Sequence, residues 1–307
     1  MTRATPILPL VLLAVLGLGV SPAVAGPPGF AFLEVPAGAR ASALGGAYAS
    51  LARGVEAAFW NPAGLDEVSG LQVAGSHYEF FEKLRHDQFA AAGRLWGGGV
   101  SASLRALYTE PIDERDELGN LIGTFGSNDL ELAIGYGRGV APGVALGGLA
   151  QIVRERIANS AATTYAFGFG GSWEPAPLPG VRLSLSAHNL GPAAAFTIDG
   201  AQGAAVPLPS AVQTGVSFGV AAAHGLQMRG ALESRFTRGR GGVAMIGGEL
   251  ANAGGAAVRL GVRVNDDAST LSLGAGYALE AMRLDYAFVP MRLDVGDTHR
   301  FSFSAQF

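Results

Sequence analysis

Segments in which apolar and polar residues alternate run through most of this chain, and they limit its fold more than any other feature. The last segment is the clearest. Positions 301, 303, 305 and 307 are Phe, Phe, Ala and Phe, whereas positions 300, 302, 304 and 306 are Arg, Ser, Ser and Gln. A period of two residues is typical of a β-strand whose two faces meet different surroundings. We therefore predict an all-β fold.

We predict about fourteen such strands, each close to the roughly ten residues that a tilted strand needs to cross a bilayer. Their connections alternate between long ones, such as residues 111–128 and 192–208, and tight ones, such as residues 97–98 and 280–281. Outer-membrane barrels show this rhythm, because their periplasmic turns are short and their external loops are longer. The predicted strands are residues 71–81, 86–97, 99–110, 129–140, 144–157, 163–174, 181–191, 209–220, 226–237, 242–252, 256–265, 269–279, 282–291 and 298–307.

The composition favours a membrane barrel over a soluble β-sandwich, which would also alternate. Charged residues make up only 15% of the chain, against roughly 25% in soluble domains, and the mean hydropathy is +0.29. No internal run of roughly 18 apolar residues is present, so we predict no membrane-spanning helix. We predict a transmembrane antiparallel β-barrel over residues 71–307, in contact with the lipid of the bacterial outer membrane and with both termini periplasmic. The net charge of -4 gives no reason to expect a nucleic-acid partner.

The N-terminus indicates export. Arg3 precedes the apolar residues 7–20, and Ala23-Val24-Ala25 has the form of a cleavage site. We interpret residues 1–25 as a cleaved Sec signal peptide, with an N-terminal membrane anchor as the alternative. The chain contains no cysteine, which excludes disulfides, thiol catalysis and lipid attachment through cysteine.

Residues 26–70 do not alternate, and we predict that they form a short helical hatch or plug inside the barrel. Apolar residues from Leu44 to Phe59 recur at helical spacing. Asn61-Pro62 should end the helix, because a residue before proline avoids the helical conformation, and Gly64 is expected to allow a left-handed turn. Trp60 is expected to anchor the hatch against the inner wall, with its indole N–H in need of a partner. A cap on the rim of the barrel is the alternative position.

The stretch from residue 32 to residue 65 resembles the opening signature of the PorV/PorQ family of outer-membrane proteins, which are relatives of the FadL long-chain fatty acid transporters. Further matches are Asn189-Leu190-Gly191 and the run from Leu284 to Phe288. Many relatives carry an acidic pair near residues 53–54, where this chain has Arg and Gly. The residues of the hatch motif are Gly38, Arg40, Gly45, Gly46, Tyr48, Trp60, Asn61, Pro62 and Gly64.

The resemblance implies a fourteen-stranded barrel with an N-terminal hatch, in agreement with the independent count of strands. It also implies a non-enzymatic role in protein export and surface secretion, as in the type IX secretion system, with exported cargo proteins or secretion components as partners. The alternative that it leaves open is a FadL-like transporter or channel for hydrophobic small molecules. A large apolar patch on the external loops would favour docking of proteins, whereas an apolar pocket under the hatch or a gap in the wall would favour transport.

Two further sets of residues fall on defined faces of the predicted strands. The first set carries charge and should face the lumen, where it could line an ion path or form a salt-bridged filling: Arg182, Arg229, Glu233, Arg259, Arg263, Arg283 and Asp285. The second set, Phe301, Phe303 and Phe307, gives the last strand an aromatic face and an aromatic final residue. This pattern is typical of barrels inserted by the outer-membrane assembly machinery, which we therefore expect as a partner.

The sequence offers little chemistry. The five histidines are scattered and form no H-x-x-x-H or H-E-x-x-H pair, which gives no support for a metal site. The acidic residues 113–117 lack the ligand ladder of an EF-hand and are interpreted as a solvated loop. Arg238-Gly239-Arg240 is interpreted as part of a hairpin loop. We predict no enzymatic activity, no metal and no cofactor.

Overall fold

The computed structural model describes residues 28–80, 83–198, 200–292 and 296–307. The predicted signal peptide, residues 1–25, lies outside the described residues. Within these ranges, no helix combines the length and the apolar character that crossing a membrane requires.

Fourteen antiparallel strands form one closed barrel, and four further strands form two hairpins in its loops. The eighteen strands are β1 Gln72–Glu79, β2 Arg85–Leu95, β3 Gly98–Tyr108, β4 Ile112–Arg115, β5 Leu121–Phe125, β6 Ser127–Ala141, β7 Val144–Ile157, β8 Ser160–Trp173, β9 Val181–Leu190, β10 Ala194–Ile198, β11 Ala201–Val206, β12 Ala211–Ala221, β13 Gln227–Thr237, β14 Gly242–Ala251, β15 Ala256–Val264, β16 Leu271–Leu279, β17 Met282–Pro290 and β18 Asp297–Gln306. The barrel closes where β18 pairs with β1, from Gln72 opposite Gln306 to Glu79 opposite His299. The predicted fold is confirmed.

The loop hairpins were not predicted. β4 pairs only with β5, and the two strands form a separate sheet between β3 and β6. β10 and β11 pair with each other, and β10 also meets β8 at one position, Thr197 opposite Ala161. Both hairpins lie inside segments that were interpreted as long loops, 111–128 and 192–208, and their strands are too short to cross a bilayer.

The barrel has two different ends, which we name by their connections. The loop end carries the long connections after β3 and β9, and the turn end carries tight connections such as residues 96–97, 142–143 and 280–281. The last residue, Phe307, is at the turn end, where its backbone exchanges hydrogen bonds with Leu71. The prediction that both termini are periplasmic stays a prediction.

The strands alternate between a lumen face and an outer face. On the outer face, large apolar side chains are exposed around the barrel, among them Ile134, Ile152, Phe169, Val258 and Phe301. A band of this kind is what a lipid-facing surface requires. On the lumen face, small and polar side chains pack against the N-terminal segment and are mostly buried.

The segment before the barrel contains only short helical pieces. α1 spans Ala39–Ala43, α2 spans Ala57–Trp60, and 3₁₀ turns cover Ala31–Glu34, Gly54–Glu56 and Pro62–Glu67. Another short 3₁₀ turn, Ala223–Gly225, connects β12 to β13. The helical spacing between Leu44 and Phe59 does not produce one helix, because Gly45 and Gly46 both adopt positive φ angles, 66° and 81°.

Candidate functional site

The N-terminal segment fills the lumen from one end to the other, and we call residues 28–70 the hatch. At the loop end, the Gly29 N–H donates to the Pro207 carbonyl (3.1 Å), and the Phe30 N–H donates to the Glu155 carboxylate (2.8 Å). At the turn end, the Arg94 guanidinium donates to the Asp66 carbonyl (2.9 Å). The segment therefore lies inside the barrel as a plug, and it does not form a cap on the rim.

Trp60 joins two parts of the hatch to each other. Its indole N–H donates to the Ala37 carbonyl (2.9 Å), and its ring packs edge-on against Tyr48, with 5.8 Å between centroids. The side chain is only 5% exposed. The indole N–H is therefore bonded within the hatch, whereas we expected Trp60 to anchor the hatch against the inner wall.

Asn61 and Pro62 supply the contact with the wall. The Asn61 side-chain amide donates to the Gly171 carbonyl of β8 (3.2 Å), and its oxygen accepts the Ala63 N–H (3.1 Å) and caps the following 3₁₀ turn. A Cβ built on Gly147 of β7 would lie 2.3 Å from the Pro62 carbonyl carbon. The hatch backbone lies directly on the wall here, because the wall residues have no side chain. The glycines of this first seat are Gly99, Gly137, Gly147 and Gly170.

A second glycine seat holds the hatch on other strands. A Cβ on Gly261 of β15 would lie 2.0 Å from the Gly45 nitrogen, and one on Gly247 of β14 would lie 2.8 Å from the Leu44 carbonyl oxygen. The hatch is thus wedged between β3, β6, β7 and β8 on one side and β14 and β15 on another. Gly64 also allows a close backbone approach, within the hatch itself, because an added Cβ would lie 2.3 Å from the Ala52 carbonyl oxygen. Its φ is not positive. The expected left-handed turn at Gly64 is wrong.

Ion pairs tie the hatch to the wall on the turn side of α1. The Arg40 guanidinium meets the Glu249 carboxylate of β14 at 2.8 Å through two nitrogens, and Glu249 also pairs with Arg259 (2.6 Å). The Glu56 carboxylate meets Arg283 of β17 at 2.7 Å and accepts the Tyr48 hydroxyl. Since Glu249 and Arg259 are almost fully buried, we expect the removal of one partner to cost far more than at an exposed pair. We call these residues, with Arg229 and Asp285, the hatch–wall ion network.

The Glu233 carboxylate, which forms no ion pair with the described residues, fixes the middle of the hatch. The Glu233 side chain, 0% exposed, accepts the backbone N–H groups of Ala49 (3.1 Å) and Ser50 (2.8 Å) and the Ser50 hydroxyl (2.6 Å). The Gln213 amide donates to it as well (2.5 Å). Four donors replace the water that this carboxylate loses, as a buried charge requires.

The structure places every predicted lumen charge inside the barrel. Arg182 contacts Glu67 of the hatch, Arg263 donates to the Gly45 carbonyl (2.7 Å), and the other five belong to the ion network or to the Glu233 anchor.

Of the hatch-motif residues, Gly38 adopts a positive φ of 82° and donates its N–H to Gln88 (3.1 Å). Residues that contribute to the site but were not predicted are Glu56, Arg105, Glu131, Arg235, Glu249 and Arg300. All of these except Glu56 lie in strands, where the alternation of polar and apolar residues could have placed their side chains in the lumen.

A cavity of about 720 Å³ lies between the hatch and the loop end. Its lining includes the apolar side chains of Val35, Pro36, Trp60, Val243, Met245, Val289 and Met291. The charged residues Glu34, Arg235, Arg240, Arg263, Asp266, Asp267 and Arg300 line it as well. At its rim, Glu34 pairs with Arg240 (2.9 Å), and burial raises the pKa of the Glu34 carboxyl, although Arg240 and Arg235 oppose that effect. The cavity is a largely apolar chamber above the hatch, and we call it the loop-end chamber.

The space at the turn end has a different character. Two cavities of about 640 Å³ and 560 Å³ are lined by charged groups, and both include Arg53, Glu56 and Arg283. The apolar chamber and these polar cavities lie on opposite sides of the hatch. A solute that crossed the barrel along its axis would have to displace the hatch or part of it.

The last strand has the predicted aromatic face. Phe301 and Phe303 are 56% and 41% exposed on the outer face, and Phe307 is 77% exposed at the turn end. These positions are accessible to a partner in the membrane. Their role as an insertion signal stays a prediction.

The described residues contain no group of three His, Asp or Glu side chains that could hold a metal ion. Gly215-Val216-Ser217-Phe218-Gly219 has the spacing of a nucleophile elbow, but it lies inside β12 and not at a strand-to-helix turn. The Ser217 hydroxyl donates to the Ser50 carbonyl (3.0 Å). It holds the hatch, and it forms no hydrogen bond with a histidine of the described residues.

Comparison with solved structures identifies channels of the same fold. The toluene transporter TodX of Pseudomonas putida has a TM-score of 0.60 at 12% identity, covering 92% of this chain and all of its own. The CymD monoaromatic hydrocarbon channel has a TM-score of 0.58 at 12% identity, covering 88% of this chain and 97% of its own. A FadL homologue of Pseudomonas aeruginosa has a TM-score of 0.50 at 13% identity, covering 87% of this chain and 97% of its own.

No protein family and no curated protein matches the sequence. The three proteins are a toluene transporter, a monoaromatic hydrocarbon channel and a FadL homologue, and none of the three is a PorV or PorQ protein. At such low identity the likeness concerns the fold. The chain has the closed fourteen-strand fold of FadL-type outer-membrane channels.

Proposed function

We propose that the protein is a bacterial outer-membrane channel that admits hydrophobic small molecules, the alternative that the sequence left open. The observation that carries this proposal is the apolar loop-end chamber of about 720 Å³ directly above a lumen hatch. A pocket of this size, in which apolar side chains lie beside charged groups that can orient a ligand, suits a small molecule. The shared fold with monoaromatic hydrocarbon channels supports the same assignment.

The hatch contacts indicate how passage is controlled. Residues 28–34 form one side of the loop-end chamber and pack through Phe30, Phe32 and Leu33 against the wall and Leu208. Their polar links to the rest of the barrel are those of Gly29 and Phe30, the Arg105 hydrogen bond to the Leu33 carbonyl and the Glu34–Arg240 pair. Residues 40–65, by contrast, are held by two glycine seats and the ion network. We infer that residues 28–34 move first when a solute passes.

A reversible lock tests this function. A Cβ built on Gly29 lies 3.6 Å from the Val206 Cβ, within the roughly 3.5–4.5 Å range of disulfides, and the chain has no cysteine of its own. Toluene uptake is measured in host cells that lack channels of this type. We expect the wild-type protein to speed uptake, the oxidised Gly29→Cys/Val206→Cys variant to slow it, and reductant to restore it. The two single-cysteine variants serve as controls, and wild-type uptake equal to that of empty cells would overturn the proposal.

Docking of exported proteins is the second candidate, and one observation favours it. The β4–β5 hairpin exposes Ile112, Leu118, Leu121 and Ile122, with Leu118 87% exposed. Exposed apolar groups of this kind are frequent at protein interfaces. Crosslinking and pull-down from native outer membranes, with Leu118→Glu as the comparison, would test it. Capture of translocon components by the wild type alone would support a PorV-like role, and recovery of the barrel alone in both would count against it.

A further inference from the structure

Arg235 and Arg300 of the loop-end chamber form no ion pair with the described residues, although the Glu34 carboxylate is near enough to Arg235 to interact with its charge. Within the described part of the chain, no carboxylate lies within 4 Å of Arg235 or Arg300, whereas Arg240 and Arg263 pair with Glu34 and Asp266. Arg235 of β13 donates no side-chain hydrogen bond to the described residues, is partly buried, and lines the cavity. A guanidinium in apolar surroundings is unfavourable unless an anion or hydrogen-bond acceptors accompany it.

Arg300 of β18 is partly satisfied and is fixed in place. It is 4% exposed, donates to the Ser42 hydroxyl (3.0 Å) and the Thr298 hydroxyl (3.2 Å), and lies 4.9 Å from the Tyr78 ring centroid. It also lies 5.7 Å from the ring of Phe80, a residue that lines the chamber. The chamber therefore combines cationic and aromatic groups with the carboxylates of Glu34, Asp266 and Asp267, of which Glu34 and Asp266 are paired with Arg240 and Arg263.

The chamber limits the size of its occupant on the hatch side. Trp60 forms part of its floor, and the two cavities that continue past Trp60 have volumes of only about 20 Å³ each. A ligand held by Arg235 must therefore keep its apolar body inside the chamber. A planar ring suits this space better than a long acyl chain, because guanidinium and aromatic groups stack on flat faces.

We propose that the loop-end chamber is a binding site for a compact aromatic carboxylate, with Arg235 as the group that receives the carboxylate and Arg300 as the second cation. The proposal rests on the proposed channel function and narrows it to a substrate class. It adds a preference for a carboxylate to the passage of hydrophobic molecules that the toluene assay measures. Arginine can hold a carboxylate through two parallel hydrogen bonds, and the apolar wall accepts the ring.

The test uses the full-length mature barrel in detergent micelles, with 2-naphthoate as the probe and its uncharged amide as the neutral comparison. Hydrogen bonds to charged groups contribute enough for about a tenfold difference in Kd. We therefore expect 2-naphthoate to bind about tenfold more tightly than the amide. Arg235→Met should remove this preference without weakening binding of the amide, and Arg235→Lys should restore part of it.

Arg238→Met is the matched control, because Arg238 is exposed at the same end of the barrel and does not line the chamber. Heat-modifiable migration on gels verifies that each variant is folded. Equal binding of naphthoate and amide in the wild type would overturn the carboxylate site while leaving a neutral-hydrocarbon channel intact. Tighter binding of palmitate than of naphthoate would overturn the choice of a compact aromatic ligand. Absence of toluene uptake, by contrast, concerns the channel function itself.

Discussion

Replacing Gly147 by alanine should unseat the hatch while leaving the barrel closed. The added methyl group would lie 2.3 Å from the Pro62 carbonyl carbon, 2.4 Å from its oxygen and 2.6 Å from the Ala63 nitrogen. Favourable contacts between carbon atoms need roughly 3.5–4.0 Å, so this part of the hatch must retreat by about 1 Å or more. All three contacts are with backbone, and no flexible side chain can absorb them.

The magnitude follows from the cost of overpacking, about 1–3 kcal/mol. If that cost falls on the seating of the hatch, the population with a displaced hatch rises roughly 5- to 150-fold. Single-channel conductance in planar bilayers measures this population as the fraction of time spent in conducting states. Protease cleavage within residues 28–70 gives a second measurement of the same change.

Gly148→Ala is the control for this prediction. It adds the same methyl group one residue along the same strand, where its nearest neighbours would be the Gly168 carbonyl and the Phe169 ring, both at 3.7 Å. We expect Gly148→Ala to behave like the wild type. If both alanine variants show the same conductance and the same protease resistance, the glycine seats do not hold the hatch and the reasoning is refuted.

Three further predictions concern other contacts. Glu249→Gln should loosen the hatch by about 1.5–3 kcal/mol, the value of hydrogen bonds to charged groups, because Arg40 loses its carboxylate on the wall and keeps only the more distant Glu56; leak conductance checks this, and the exposed Asp113→Asn should show no change. Trp60→Ala should cost about 3–5 kcal/mol through the lost packing against Tyr48 and the lost indole bond; unchanged conductance of the folded barrel would contradict it. Deletion of Phe307 should lower the amount of heat-modifiable barrel in the outer membrane, and normal amounts would argue against an insertion signal.

The wall of the barrel could be predicted from the sequence because it follows a local rule. Each of the fourteen predicted strands corresponds to an observed one, with ends that agree within three residues. A strand that separates lipid from lumen must alternate, so its pattern can be read without knowledge of its neighbours. The β4–β5 and β10–β11 hairpins do not separate two such environments, and this pattern gave no sign of them.

The hatch could not be predicted in the same detail, because its conformation depends on distant residues. Arg40 and Glu249 are 209 positions apart in the chain, and no local pattern links them. Gly147 and Gly261 would ordinarily be interpreted as weak points of a strand, yet each accommodates a stretch of hatch backbone. The motif correctly predicted that the helix ends at Asn61-Pro62, but its partners on the wall became visible only in three dimensions.

The path of the hatch also restricts the order in which the protein can assemble. The described chain starts at the loop end, passes through the lumen and leaves at the turn end to begin β1, and β1 then pairs with β18. Once that seam is formed, the hatch is encircled by the same chain that follows it. Threading residues 28–34 into a finished barrel would require pulling them past both glycine seats. In the simpler order the hatch takes its position first and the strands close around it, so that the hatch serves as the core on which the barrel assembles.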